Sequence, residues 1–210
     1  MTDDISNNYP TLKSDDIIAK YDNNSVFSSF FDQVLFYNKK INIVSRETSL
    51  DGLKKIAAEC LAPIELGIDI KGKIFDIGPG GGFPALIILL ARPDIEGVLI
   101  ERTGKKARFL ETMVKEFGLN AIVYNNDLAE ITPKLDKNSF DFGLMKYVRM
   151  EKKILRLALQ LLNPEGRYLY FSRMITDDKY GINRFKAVEV CYYLDDIKQL
   201  RTINVISRLI

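Results

Sequence analysis

An apolar run, Ile74-Phe75-Asp76-Ile77, breaks into Gly78-Pro79-Gly80-Gly81-Gly82 and re-forms at once as the apolar segment Phe83 to Leu90. That order is a strand, a tight turn and a helix start. Glycine is required where the backbone takes positive φ or where a ligand presses against it. The spacing Gly78-x-Gly80-x-Gly82 approaches the dinucleotide fingerprint, but Phe83 stands where that pattern has its last glycine. Taken alone, the stretch is also satisfied by a plain glycine turn between a strand and a helix.

The neighbouring segments add to it. Asp76 lies just before the first glycine, which suits an incoming phosphate poorly and suits a zwitterion such as the amino acid end of S-adenosylmethionine. Val98-Leu99-Ile100-Glu101 is a second short run ending in a carboxylate. An acidic residue there accepts hydrogen bonds from ribose hydroxyls in nucleoside-binding sheets. A third run, Ala121 to Tyr124, leads to Asn126, Asp127 and Glu130, where an adenine is framed. The order of these pieces is far more specific than any one of them. A nicotinamide-dependent dehydrogenase is the weaker reading, because of Asp76 and the absent final glycine.

Composition narrows the chemistry. The 210 residues suit one domain with a modest extension, and 47% apolar content supplies a core. A net charge of +2 means that any nucleic-acid surface is a local patch. The chain has no histidine, which removes imidazole catalysis, Ser-His triads and His-ligated metal sites. Cys60 and Cys191 lack metal-ligand spacing and read as reduced, buried thiols, so no metal is expected. The N-terminal residues are polar and acidic rather than a signal peptide. The longest apolar run, Phe83 to Ala91, is too short to span a bilayer. A soluble cytoplasmic protein, without membrane partners, is expected.

Along the chain, residues 1–12 read as frayed. Ser14-Asp15-Asp16 is placed to cap a helix over 17–21. Val26, Phe27, Phe30, Phe31, Val34 and Leu35 recur at helical spacing and predict a helix to about Asn38. Ser49 to Leu61 reads as another helix. Residues 1–70 therefore form a helical cap before a sheet domain over 71–210, the two making one structural unit. Strands are predicted at 73–77, 98–101, 121–124, 140–145 and 167–172, then at 188–194 and 202–206 as an antiparallel finish. Helices are predicted at 83–92, 105–117 and 154–162. This alternation gives an α/β fold, a mainly parallel seven-stranded Rossmann-like sheet with helices on both faces.

Several of these residues carry a resemblance to a known family. Asp76 to Pro84 reads Asp-Ile-Gly-Pro-Gly-Gly-Gly-Phe-Pro. Its Gly-Phe-Pro ending is unusual among methyltransferases. Glu101, Lys105-Lys106 and Phe109-Leu110 follow in register, as do Asn38 to Asn42 before the domain and Ala129-Glu130 after the third strand. Over most of its length the chain resembles the bacterial 16S ribosomal RNA guanine-N7 methyltransferases, the glucose-inhibited division protein B family. The resemblance implies a class I methyltransferase fold, S-adenosylmethionine as donor, and 16S ribosomal RNA or the small ribosomal subunit as partner. The family's His-x-x-Asp-Ser falls on Ile56, Glu59 and Cys60; its Arg-Ala pair falls on Lys146-Tyr147; the arginine before Ala-Glu is Leu128. The donor half is kept and the acceptor half has drifted.

The donor is expected against Asp76, Gly78, Gly80, Gly82 and Phe83, its ribose on Glu101, and its adenine beside Ala129 and Glu130. Lys146 is expected at the methyl position as the catalytic contact. Lys39, Lys40, Arg102, Lys105, Lys106, Tyr147 and Arg149 are expected to face RNA. Plainer roles stay open: Asp76 as a helix cap, Phe83 as core, Glu101 as a solvated strand end. Guanine N7 has a free lone pair and needs no base, so a site without histidine is compatible with it. A methyltransferase on a small molecule or protein, or a non-catalytic donor- or RNA-binding relative, are the alternatives. No heptad pattern is evident, and a monomer is expected.

Overall fold

The computed structural model describes residues 9–173, 185–195 and 199–209. The elements run β1 (Thr11–Leu12), α1 (Ser14–Tyr21), α2 (Val26–Asn38), α3 (Leu50–Glu65), β2 (Lys73–Ile77), α4 (Ala85–Ala91), β3 (Glu96–Ile100), α5 (Gly104–Glu116), β4 (Ala121–Tyr124), α6 (Leu128–Ile131), β5 (Phe140–Met145), α7 (Lys152–Leu161), β6 (Leu162–Tyr170), β7 (Phe185–Leu194) and β8 (Arg201–Arg208). The sheet order is β1-β7-β8-β6-β5-β2-β3-β4. From β6 to β4 all pairs are parallel, while β8 runs antiparallel to both β6 and β7. Seven strands are those expected. The eighth is the two-residue β1, which pairs with β7 through Thr11↔Tyr193 and Leu12↔Leu194 in a segment expected to fray.

The central strand shows how sequence becomes layers. Side chains alternate across a strand. Ile74 enters one core, with Leu99, Leu144, Leu169 and the apolar stripes of α2, α3, α4 and α5. Phe75 and Ile77 enter the other, with Val98, Ile100, Tyr168 and residues of α6 and α7. A parallel strand buried on both faces needs an almost unbroken apolar sequence, which is what 74–77 has apart from Asp76. Phe30 of α2 packs edge-on against Phe83, with ring centroids 5.9 Å apart, and against Phe117 at 6.0 Å. The cap helices thus share a core with the segment after the glycine turn.

Several boundaries differ from expectation for identifiable reasons. Helix α3 continues past Pro63 to Glu65, because Leu66 N–H donates to Ala62 O and Ile68 N–H to Pro63 O, closing the last turn. Helix α1 is preceded by Lys13, with no side-chain cap. The Ser14 hydroxyl and N–H instead donate to the carboxylate of Asp195, at 2.8–2.9 Å. Helix α7 ends at Leu161, before Asn163-Pro164-Glu165-Gly166, and that stretch, expected to stop the helix, lies within β6, with a register shift opposite Phe140/Phe142.

Candidate active site

The parallel strands β2, β3, β4 and β5 end on the same edge of the sheet. The chain order reverses at β2, with β3 on one side and β5 on the other. Ligands of open α/β sheets bind at such a switch point. A cleft of about 850 Å³ opens there, lined by Gly78 to Gly81, Phe83, Glu101 to Thr103, Asn126 to Ala129 and Lys146 to Arg149. That size suits a drug-sized ligand.

The glycine turn forms one wall. Gly78 has φ +70°, and a Cβ there would meet Val148 Cγ2 at 2.8 Å. Its N–H donates to Ile100 O, tying the turn to β3. Gly82, at φ +92°, is needed for a different reason: a Cβ would lie 2.5 Å from Leu86 Cδ1. It faces its own helix and lies outside the residues that line the cleft. Asp76 lies deeper. It is fully buried beneath the turn, and its Oδ2 accepts the Ala85 N–H at 3.0 Å. This satisfies a free N–H of the first turn of α4. Burial pushes the Asp76 carboxyl well above the usual range and the Glu101 charge adds to this, against the Ala85 hydrogen bond.

Glu101 stands at the tip of β3 and is buried. Its Oε2 accepts from Gly80 N–H at 3.1 Å and its Oε1 from Thr103 N–H at 2.8 Å. Each carboxylate oxygen keeps a second acceptor site. Asn125 Nδ2 donates to the Glu101 carbonyl at 2.9 Å, fixing this strand end to β4. A carboxylate held by two backbone donors beside an open glycine turn fits a vicinal diol. These residues therefore fit the ribose and methionine parts of S-adenosylmethionine.

Beyond β4, Asp127 caps α6: its Oδ1 accepts from Ala129 N–H at 2.9 Å. Ala129 and Leu128 line the cleft. Glu130 lies outside that lining. Its carboxylate turns back toward Asp127 N–H, completing a capping box.

On the opposite side, Lys146 follows β5 and is only 4% exposed. Its Nζ donates to Glu59 Oε2 of α3. Arg201 Nε of β8 lies 3.1 Å from Glu59 Oε1, an ion pair off the line of a hydrogen bond. Burial pulls the Lys146 ammonium down, but Cys60, Glu59 and Tyr147 more than offset it, so the group sits above its ordinary value. The neighbouring Cys60 thiol is pushed up by burial. Tyr147 is exposed at the cleft mouth.

Of the expected RNA-facing residues, Arg102, Lys106, Tyr147 and Arg149 line the cleft. Lys39, Lys40 and Lys105 are exposed but outside its lining, and Lys40 Nζ sits 4.8 Å over the Phe36 ring. The motif holding Lys39 and Lys40 contributes to the site through Asn38. The buried Asn38 Oδ1 accepts from Ile43 and Val44 N–H at 3.0 and 3.1 Å, and Nδ2 donates to Ser45 O. This holds segment 43–45 on the cleft wall. Sequence reasoning did not place that segment or Arg201 at the site. Glu59 carried a signal, a lone carboxylate within the apolar face formed by Ile56, Ala57, Cys60 and Leu61.

Solved structures with the same fold include the O-methyltransferase from Bacillus cereus in complex with SAH (TM-score 0.59, 15% identity, 87% of this chain and 91% of that one). Another is the O-methyltransferase TomG from Streptomyces achromogenes in complex with SAM (TM-score 0.58, 15% identity, 87% and 94%). At this identity they establish the class I methyltransferase fold. Nearer in sequence is the Ribosomal RNA small subunit methyltransferase G of Helicobacter hepaticus, 28% identical over 69% of this chain and 77% of its own. Proteins of the same name from Syntrophomonas wolfei (31%, over 67% and 66%) and Fusobacterium nucleatum (29%, over 82% and 75%) also match. The chain spans only 58% of the Chlorobium limicola relative. The model of the rRNA small subunit methyltransferase G family, GidB, matches residues 23–185. With the glycine turn, the Glu101 clamp and most of the chain inside that match, the protein belongs to the rRNA small subunit methyltransferase G family.

Proposed function

We propose that the protein transfers a methyl group from S-adenosylmethionine to N7 of a guanine in 16S ribosomal RNA. The observation that carries this reading is the Glu101 carboxylate, held by Gly80 and Thr103 N–H groups, sharing one cleft with Lys146 and Tyr147. The donor supplies an electrophilic methyl group on a sulfonium. Glu101 holds the ribose, Gly78 and Gly80 leave room for the methionine part, Phe83 packs beside it, and Ala129 borders the adenine. Asp76, Gly82 and Glu130 act beneath, by shaping the turn and capping α4 and α6. N7 presents an in-plane lone pair, so the residues of this site orient and no proton is removed first. Methylation leaves positive charge on the purine. The Lys146 ammonium beside it is balanced by Glu59, which lessens the repulsion.

Arg102, Lys105, Lys106 and Arg149, with Lys39 and Lys40 further out, neutralise RNA phosphates. The cap of residues 1–70 and the sheet domain 71–210 act as one unit, a reading supported by the Phe30 ring contacts to Phe83 and Phe117. The protein acts as a monomer in the cytoplasm, where its RNA substrate is. The test is transfer from labelled donor into isolated small subunits and into their free RNA, with the product digested to nucleosides. Label in 7-methylguanosine supports the reading. Label in protein or small molecules would favour the second reading, a different acceptor, which the Lys146-Tyr147 pair in place of Arg-Ala motivates.

A further inference from the structure

Strand β5 ends at Met145, and the next residues differ sharply in exposure. Lys146 turns inward onto Glu59. Tyr147 turns outward and is 71% exposed, the highest value among the large apolar side chains of the described residues. Val148 turns back in, against Gly78. Tyr147 has φ +61°. That conformation is uncommon for a bulky residue with a Cβ, and such residues are enriched at ligand sites. Here it brings the ring to 4.4 Å from Lys146 Nζ. Lys146 is itself fixed by Glu59, so the ring is backed by an anchored cation while most of it faces solvent. A merely surface tyrosine needs neither feature.

The site has a use for such a ring. In paired RNA, N7 lies in a deep, narrow groove that side chains do not reach, so the base must be splayed out of its stack. An aromatic surface at the cleft mouth returns the lost stacking. We propose that Tyr147 is the platform on which the target purine stacks, and that the site uses its aromatic face rather than its hydroxyl or its bulk. This rests on the reading of the cleft as a nucleobase acceptor site.

The test compares full-length wild type with Tyr147→Phe, Tyr147→Leu and Tyr147→Ala. Donor affinity by calorimetry verifies that each variant keeps its donor half. KM and kcat are read on small subunits. Stacking is read directly from fluorescence quenching of a single-stranded oligoribonucleotide carrying one 2-aminopurine, with S-adenosylhomocysteine present. Phe is expected to keep the quenching and a wild-type KM. Leu and Ala are expected to lose the quenching and to raise KM roughly 10-fold or more, the scale of one lost base–aromatic stack. Equal quenching by the Leu variant, or a faster Ala variant, would overturn the proposal, the latter by making Tyr147 a plug. Quenching lost in Leu while wild type makes no 7-methylguanosine would keep the platform and remove the proposed reaction.

Discussion

Glu101 carries two backbone donors on one carboxylate, from Gly80 and Thr103. An amide can offer oxygen to only one of them. Glu101→Gln is expected to weaken donor binding by ~10–100-fold, about 1.5–3 kcal/mol, as read by calorimetry. Glu59 is buried between Lys146 and Arg201. Removing its charge leaves the Lys146 ammonium without a counter-charge, so Glu59→Gln is expected to destabilise the fold by ~3 kcal/mol in urea titrations. Asp76 gives a pH signature. Its folded carboxyl is held well above the ordinary value, chiefly by burial. The folded form then binds a proton that the unfolded chain has released, so this residue costs stability as pH rises from the usual carboxylate range through the raised folded value. Asp76→Asn removes that slope: unfolding across a pH series should show the wild type losing stability relative to the variant as pH rises. At this scale the sequence announced Glu101 by its strand end and spacing. It left Asp76 open between donor contact and helix cap, because one carboxylate before a glycine turn satisfies either; the structure adds the Ala85 N–H bond to one of its oxygens.

Local pattern carried β2, β4 and β5, whose ends agree with the sequence reading to the residue, and α2, which ends at the expected Asn38. These are segments where apolar periodicity and turn residues coincide. The misses lie where a distant partner decides. Ser14 spends its hydroxyl on Asp195 of the β7–β8 connection, and no window of sequence contains both. Residues Thr11 and Leu12 become a strand only because β7 offers an edge. Asn38 is the analogous case for function. It is read as a motif residue next to two lysines, yet its amide supports the loop 43–45 on the cleft wall. Asn38→Ala strands the Ile43 and Val44 N–H groups. It is expected to cost about 1–3 kcal/mol in stability and to weaken donor binding, checked by thermal melts with and without S-adenosylhomocysteine.

For the whole molecule, the switch of chain order at β2 places the site, and the alternation of strand and helix in the sequence foreshadowed it. Two cores on opposite faces of one sheet hold the strand ends that line the cleft. No helix among the described residues is long and apolar enough to cross a membrane. A ligand that binds only the folded form stabilises it: S-adenosylhomocysteine at 100 times its Kd should add about 2.7 kcal/mol and raise Tm by roughly 5–10 °C. The proposed acceptor is one base in one RNA. The direct measurement is nucleoside mass analysis of 16S ribosomal RNA from cells lacking this protein, complemented with wild type or with Glu101→Gln. 7-Methylguanosine is expected to be lost with the protein, to return with the wild type, and to return less or not at all with the variant. An unchanged level of 7-methylguanosine in cells lacking the protein would contradict the proposed reaction.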